Sequence, residues 1–424
     1  MSATPSVADA IPFPATGNLS APETQSERIG VLDVLRGIAL LGMFFVHFSE
    51  NSKDPGSGLG HIYGRLVELF FTNRFMGMFA ILFGVGFGVQ LRRADARGDN
   101  FIPRYTRRLL VLAVFGFIAE AFTGYRVLLG YAIWGFPLLL VRRWSTKALV
   151  IALLVCAISP SIELATRTVY ATAMGRASQF EAARKAEAAE RIQATRALAK
   201  DLRSTDYRTV VAARIRRTES SYSPKDFLVP AGNFTLFLIG VLGLRLGVFE
   251  DPRRHRPLII GIMTFGAASW AVWEFLYPLH IAVPSTWPFP LQTLIAYIAT
   301  QPFAIGALSA DLAFTYVGAV LLLVAHNPAW LHRLGAFGIT GRMALTNYML
   351  QVTILDLAFS NHGYALKVGA AYAPLAALAL FAVDVALCRW WLSRYRYGPL
   401  EWMWRSATYA RRQPMRRAAT VGDP

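Results

Sequence analysis

The sequence predicts an all-α fold: a polytopic transmembrane helical bundle of about ten spans with both termini cytoplasmic. Three observations predict it. Hydrophobic residues fill 54% of the 424 positions and charged residues only 16%, and mean hydropathy is +0.39, outside the range of soluble domains. Several apolar runs reach spanning length, which favours one polytopic body over a string of soluble ones. The net charge of +17 comes largely from arginines gathered between those runs, where the inner face of a membrane attracts them. That placement argues against nucleic acid and for the lipid bilayer as partner.

Residues 1–28, rich in Ala, Pro, Ser and Thr, read as a disordered tail, and the first apolar run is too late and too long for a cleaved signal. Hydropathy places crossings at 29–49, 69–91, 107–123, 126–142, 147–166, 227–247, 257–277, 306–325, 335–358 and 368–391. Basic stretches at 92–108, 142–147, 253–256 and 389–417 all fall on the inner side if the number of crossings is even. The chain thus divides into an N-terminal five-helix membrane region (29–166), a charged helical insertion outside the membrane (167–226), a C-terminal five-helix membrane region (227–408) and a disordered basic tail (409–424). The stretch 289–325 is too long for one span and is interrupted at Gln301-Pro302 and Asp311. One crossing preceded by a broken half-helix keeps the basic tail inside. Cys156 and Cys388 sit in or at the end of apolar runs and the histidines are scattered, so neither a disulfide framework nor a metal site is expected.

The first span carries the chemistry. Arg36 and His47 stand eleven residues apart, so at helical pitch Asp33, Arg36, Leu40, Phe44, His47 and Asn51 share one face. Ionisable groups cost energy in hydrocarbon, so this face looks toward protein or water and is a site by default. The axial distance from Arg36 to His47 is about 16 Å, much of a bilayer core. Asp33, Arg36, Arg104, Arg107, Arg108 and Arg342 mark a cationic inner vestibule suited to an anionic donor, since arginine grips phosphate in a bidentate fork. A neutralising Asp33–Arg36 pair and topological arginines are the plainer reading of the same residues. His47, Glu50 and Asn51 form the catalytic candidates at the outer end, with Asn73, Arg74, Glu120, Glu274 and Asp356 as outer-cluster candidates from other spans; interhelical hydrogen bonding is the alternative role for Asn73, Arg74, Glu120 and Glu274.

The run LDVLRGIALLGMFFVH (32–47) resembles the opening helix of the membrane acyltransferase superfamily, in which an arginine followed eleven residues later by histidine marks O-acyltransferases of cell-surface glycans. The C-terminal half resembles the YeiB-like bacterial membrane proteins associated with that superfamily. That likeness rests on GRMALTNY (341–348), with Asn347, Tyr348 and the following Gln351, and on RYGPLEW (396–402), with Gly398, Pro399, Glu401 and Trp402. Arg74-Phe75 and Leu82-Phe83-Gly84 fit the same branch. Where YeiB-like proteins usually carry asparagine this chain has His47, and where they tend to show Gly-Asp it reads Gly124-Tyr125-Arg126.

The resemblance implies a protein of the plasma (inner) membrane and transfer of an acyl group from cytoplasmic acyl-CoA to an extracytoplasmic glycan or small-molecule acceptor. His47 would be general base or acyl carrier, Glu50 or Glu274 would orient it, and Asn51 or Asn73 would hold the oxyanion. The alternative is a transporter or flippase for a small or lipid-linked anion, whose buried charges would line the path.

Overall fold

The computed structural model describes residues 30–52, 58–222, 232–272, 274 and 311–417. The tail at 1–28 and the half-helix expected ahead of the 306–325 crossing lie outside the described residues. Those described form helices joined by turns, plus one isolated bridge between Tyr395 and Arg416.

In chain order the first nine are α1 (Gly30–Asn51), α2 (Gly58–Phe70), α3 (Arg74–Arg97), α4 (Phe101–Thr123), α5 (Leu128–Gly135), α6 (Pro137–Val141), α7 (Thr146–Ala173), α8 (Ala177–Leu202) and α9 (Tyr207–Ser221). There follow α10 (Gly232–Arg245), α11 (Arg256–Ala271), α12 (Asp311–His326), α13 (Ala329–Arg333), α14 (Gly335–Arg342), α15 (Ala344–Phe359), α16 (Ala373–Arg394) and α17 (Pro399–Tyr409). By length and composition, Gly30–Asn51, the run Gly58–Arg97 and Ala373–Arg394 could cross a membrane. Leu128–Val141, Thr146–Ala157, Gly232–Arg245 and Asp311–His326 are apolar but shorter.

Two segments expected as single spans are broken. The run at 126–142 splits into α5 and α6 at Pro137, which has no N–H to continue the ladder. The run at 335–358 splits at Met343 into α14 and α15. There the Asn347 amide donates to the Thr340 carbonyl at 3.1 Å, a side chain taking the place of a helical bond. Besides the insertion helices α8 and α9, the helices α2, α13 and α17 lie outside the expected crossings, wholly or for most of their length. α2 exposes Leu59, Ile62 and Leu66 at helical spacing while burying Val67, and α17 follows the last apolar helix. Residues 410–417, expected within a disordered tail, instead fold back: Arg396 N–H donates to the Met415 carbonyl at 2.9 Å and Trp402 Nε1 to Gln413 at 2.8 Å.

α1 is central. It packs on α14, α16, α3 and α15, and the α1–α14 contact is backbone on backbone. A Cβ at Gly37 would lie 2.0 Å from the Phe337 carbonyl oxygen, and one at Gly341 1.8 Å from that of Asp33. Such small-residue seams are how helices associate where lipid gives no hydrophobic drive.

The basic loops collect at one end of the molecule. Arg245, ending α10, donates to the carbonyls of Arg142 and Trp144 between α6 and α7. Arg253 donates to Ala325 at the end of α12, Arg92 pairs with Glu250, and Trp404 Nε1 donates to the Arg108 carbonyl. His47, α9 and the turn after α15 stand at the other end.

Candidate functional site

Near the basic end a cavity of about 220 Å³ opens between α1, α3, α4, α5, α14, α15 and α17. Arg36, Arg108, Arg342 and Arg405 line it together with Glu401 and Trp404, and toward the opposite end its walls are Met43, Leu128, Tyr131 and Tyr348. The Arg108 guanidinium lies 3.7 Å over the Trp404 ring, which holds it flat without neutralising it. Arg36 bonds Asp33 at 2.7 Å. Of the expected vestibule, the structure brings Arg36, Arg108 and Arg342 together. Arg104 turns to Asp99 at 2.9 Å and to the Tyr409 ring, and Arg107 is exposed and bonded to the Pro103 carbonyl; neither lines the cavity. Arg405 completes the set, a residue that sequence spacing could not link to α1.

Glu401 explains the Gly398-Pro399-Leu400-Glu401 run. Pro399 opens α17, and Glu401 in its first turn accepts from the N–H groups of Leu345 and Thr346, at 2.7 and 3.0 Å, and from the Thr346 hydroxyl at 2.5 Å. Those are first-turn donors of α15, so Glu401 is that helix's N-cap, supplied from α17. Gly398 is needed beside it, because a Cβ there would lie 2.1 Å from the Glu401 carboxylate. Burial pushes the Glu401 carboxyl above its ordinary value, and the Thr346 and Leu345 hydrogen bonds pull it back down.

His47 is buried on α1 one turn beyond Met43 and does not line the cavity. Its ring sits 4.5 Å from that of Tyr125, and its Nδ1 is 3.4 Å from Gln351 Nε2 on α15. Asn51 donates to the His47 carbonyl at 2.7 Å and to the Tyr125 hydroxyl at 3.3 Å. The carboxylates expected to orient the imidazole do other things. Glu50 is exposed three residues beyond His47, within electrostatic reach of Tyr125, and Glu274 joins Arg74.

The remaining outer candidates form two separate clusters. Arg74 is buried at the start of α3, 3.5 Å from Glu274 and 3.3 Å from Asp311, and its guanidinium nitrogens donate to the backbone carbonyls of Thr72 and Leu69. This ties α3, α11 and α12 into a corner, with Asn73 exposed in a left-handed turn before it. In the second cluster α9 docks on α4 and α15. Arg214 bonds Asp356 at 2.5 and 3.2 Å, His362 and Ser360 add to that carboxylate, and Glu120 accepts from Thr218 and Tyr222, each at 2.9 Å. The charged insertion therefore supplies Arg214, Thr218 and Tyr222 to the polar layer near Tyr125. Asp384 of α16, buried beside Cys388 and Asn347, went unnoticed too. A lone carboxylate in the run ALALFAVDVALC is a signal that could have found it.

Comparison with known proteins divides the chain in two. Residues 28–210 match the family described as "Heparan-alpha-glucosaminide N-acetyltransferase, catalytic", and residues 244–411 match "Protein of unknown function (DUF418)". Uncharacterized protein YxaH of Bacillus subtilis (strain 168) is 30% identical over 420 residues, 94% of this chain and 99% of that protein. An uncharacterized 39.9 kDa protein in the amylase 3' region of Bacillus acidopullulyticus is 27% identical over 398 residues, 93% and 97%. Uncharacterized protein YeiB of Escherichia coli (strain K12) is 33% identical over 73 residues, 17% and 19%. No solved structure matches. The cavity draws on both halves: Arg36, Arg108 and Tyr131 from the first, Arg342, Tyr348, Glu401 and Arg405 from the second.

Proposed function

This chain belongs to the YeiB-like membrane proteins, and on that footing we propose that it transfers an acyl group from acyl-CoA to a glycan or small-molecule acceptor across the plasma (inner) membrane. The observation that carries the reading is the convergence of Arg36, Arg108, Arg342 and Arg405 on one cavity whose wall includes Met43, one helical turn before the buried His47. The match of residues 28–210 to an acetyltransferase catalytic region supports it. Ten crossings put the basic end in the cytoplasm by the bias of lysine and arginine, so the donor enters there and the acceptor from the side of α9.

In this reading the CoA phosphates rest on the arginines and the thioester end lies in the cavity. The acceptor hydroxyl or amine attacks the thioester carbonyl while His47 takes its proton. The carbon–sulfur bond then breaks, and the CoA sulfur leaves with that proton as a free thiol. Because Met43 and Tyr348 stand between the cavity and His47, their side chains move aside for the two to meet.

The test uses vesicles holding the full chain, with radiolabelled acetyl-CoA on the arginine side. Wild type should release CoA thiol and deliver label to the opposite side, and His47→Ala should slow this by about 100-fold or more, the usual worth of a general base. Equal rates in wild type and His47→Ala refute the mechanism. Flux of an intact solute without thiol release establishes a transporter or flippase instead.

A further inference from the structure

The Tyr348 hydroxyl is buried inside the protein without a hydrogen-bond partner. The residue is 4% exposed and its side chain lines the cavity. An orphaned buried hydroxyl costs free energy, so its persistence beside an open volume calls for a ligand. It lies in a ring of phenols: Tyr125, Tyr131 and Tyr222 are within its electrostatic reach, as is Glu120. Tyr131 donates to the Met76 carbonyl at 2.5 Å, Tyr222 to Glu120, and Tyr125 accepts from Asn51; Tyr348 alone of the four has no bond. Three residues on along α15, Gln351 Nε2 faces His47 and its Oε1 is also without a partner. Tyr348 thus stands at the boundary between the cavity and the histidine layer, about 10 Å from Arg36 along the bundle, the rise of the seven residues from Arg36 to Met43.

We infer that Tyr348 is the hydrogen-bond donor for the carbonyl of a thioester-borne acyl group lying in this cavity. It thereby selects the acylated donor over free CoA. The inference rests on the acyl-CoA reading. The arginines hold phosphates, which acetyl-CoA and CoA share, whereas the phenol reads the carbonyl that only the thioester adds at that end. One hydrogen bond of this kind is worth about tenfold in affinity.

The experiment titrates the full chain in lipid nanodiscs with acetyl-CoA and with CoA by calorimetry, comparing wild type with Tyr348→Phe. The expected result is acetyl-CoA bound about tenfold tighter than CoA by wild type, equal affinities in Tyr348→Phe with CoA binding intact, and an unliganded melting temperature that does not fall. An undiminished preference in Tyr348→Phe overturns the inference and leaves the acyl-CoA reading standing. Wild type binding neither ligand removes both. Isotope-edited infrared spectra of ¹³C-acetyl-CoA on wild type give a check that needs no variant. The carbonyl stretch should shift to lower frequency on binding, and a band at the position of a thioester in an apolar solvent refutes the hydrogen bond.

Discussion

Glu401 joins the last helix to the broken one, and removing it tests whether α15 is held as the structure shows. Glu401→Ala strands the N–H groups of Leu345 and Thr346 and the Thr346 hydroxyl. Loss of a helix N-cap costs about 0.5–2 kcal/mol, and buried donors without acceptors about 1–3 kcal/mol. Since the bonds share one carboxylate they do not add, and release of a buried charge offsets part of the loss, so the net is about 2–3 kcal/mol. At about 1.4 kcal/mol per decade, opening of the first turn of α15 should rise about 30- to 150-fold. Amide hydrogen exchange over residues 343–350 in nanodiscs reads that directly. Glu401→Gln keeps an acceptor oxygen and removes the charge, so it should exchange much more slowly than Glu401→Ala.

The pH dependence gives a second sign to check. The folded carboxyl is raised by burial, so the folded state holds this proton better than the unfolded chain. Its contribution is fully present below the unfolded value of about 4.3 and is lost as pH rises through the folded one. Wild type should therefore gain stability relative to Glu401→Gln as pH falls from neutral toward that value. Exchange unchanged in Glu401→Ala refutes the capping argument, and a pH trend of opposite sign refutes the dominance of burial over the capping hydrogen bonds.

Two further predictions concern the ends of the bundle. Arg214→Ala leaves Asp356 buried without its guanidinium, which costs about 3–5 kcal/mol for a buried pair; limited proteolysis should then cut between α8 and α9 at protease levels that leave wild type whole. Gly341→Val forces branched carbons into the Asp33 carbonyl, where even a Cβ would be 1.8 Å away. It should abolish accumulation of folded protein, read as loss of the monodisperse peak in size-exclusion chromatography, whereas Gly335→Ala, which meets nothing, should not.

What the sequence made legible was whatever one helix carries by itself. Asp33, Arg36, His47 and Asn51 share a face because a single pitch relates them, and each expected crossing that lies among the described residues coincides with a helix or a broken pair. Partners far apart in the chain were not legible. Arg108 and Trp404 are brought together by a fold that no local pattern encodes, as are Arg214 and Asp356 and Glu401 and Thr346. The break at Met343 was hidden because neither Gly nor Pro stands at that position; a side-chain amide and a distant carboxylate make it instead. The short amphipathic helices α2 and α17 escaped because hydropathy averaged over a spanning window rewards uniformly apolar segments. The docking of α9, expected only as part of a charged helical insertion, escaped for a related reason: its four arginines read as solvated charge until Asp356 and the Phe122 and Gly124 carbonyls are placed beside them.

In the proposed transfer donor and histidine must meet, and the same contacts say which parts can move to let them. α1 and α14 touch through glycine backbones, and bistable sliding there would need both helices to separate before either could shift. α15 is joined to α14 through the non-helical Met343 and the Asn347–Thr340 hydrogen bond, and is held at its start by one carboxylate from α17. Of the side chains between the cavity and His47, Met43 belongs to α1, whereas Tyr348 and, against the imidazole, Gln351 belong to α15. Motion that connects the cavity to the imidazole therefore falls to α15 with its side chains and to the Met43 side chain, with the backbone of α1 as the fixed wall. The helix break and the Glu401 cap are then parts of one device: they give the moving wall a hinge at Met343 and a set resting position. A cross-link fixing α15 to α1 should accordingly stop acyl transfer while leaving CoA bound, whereas one fixing α14 to α1 should change neither.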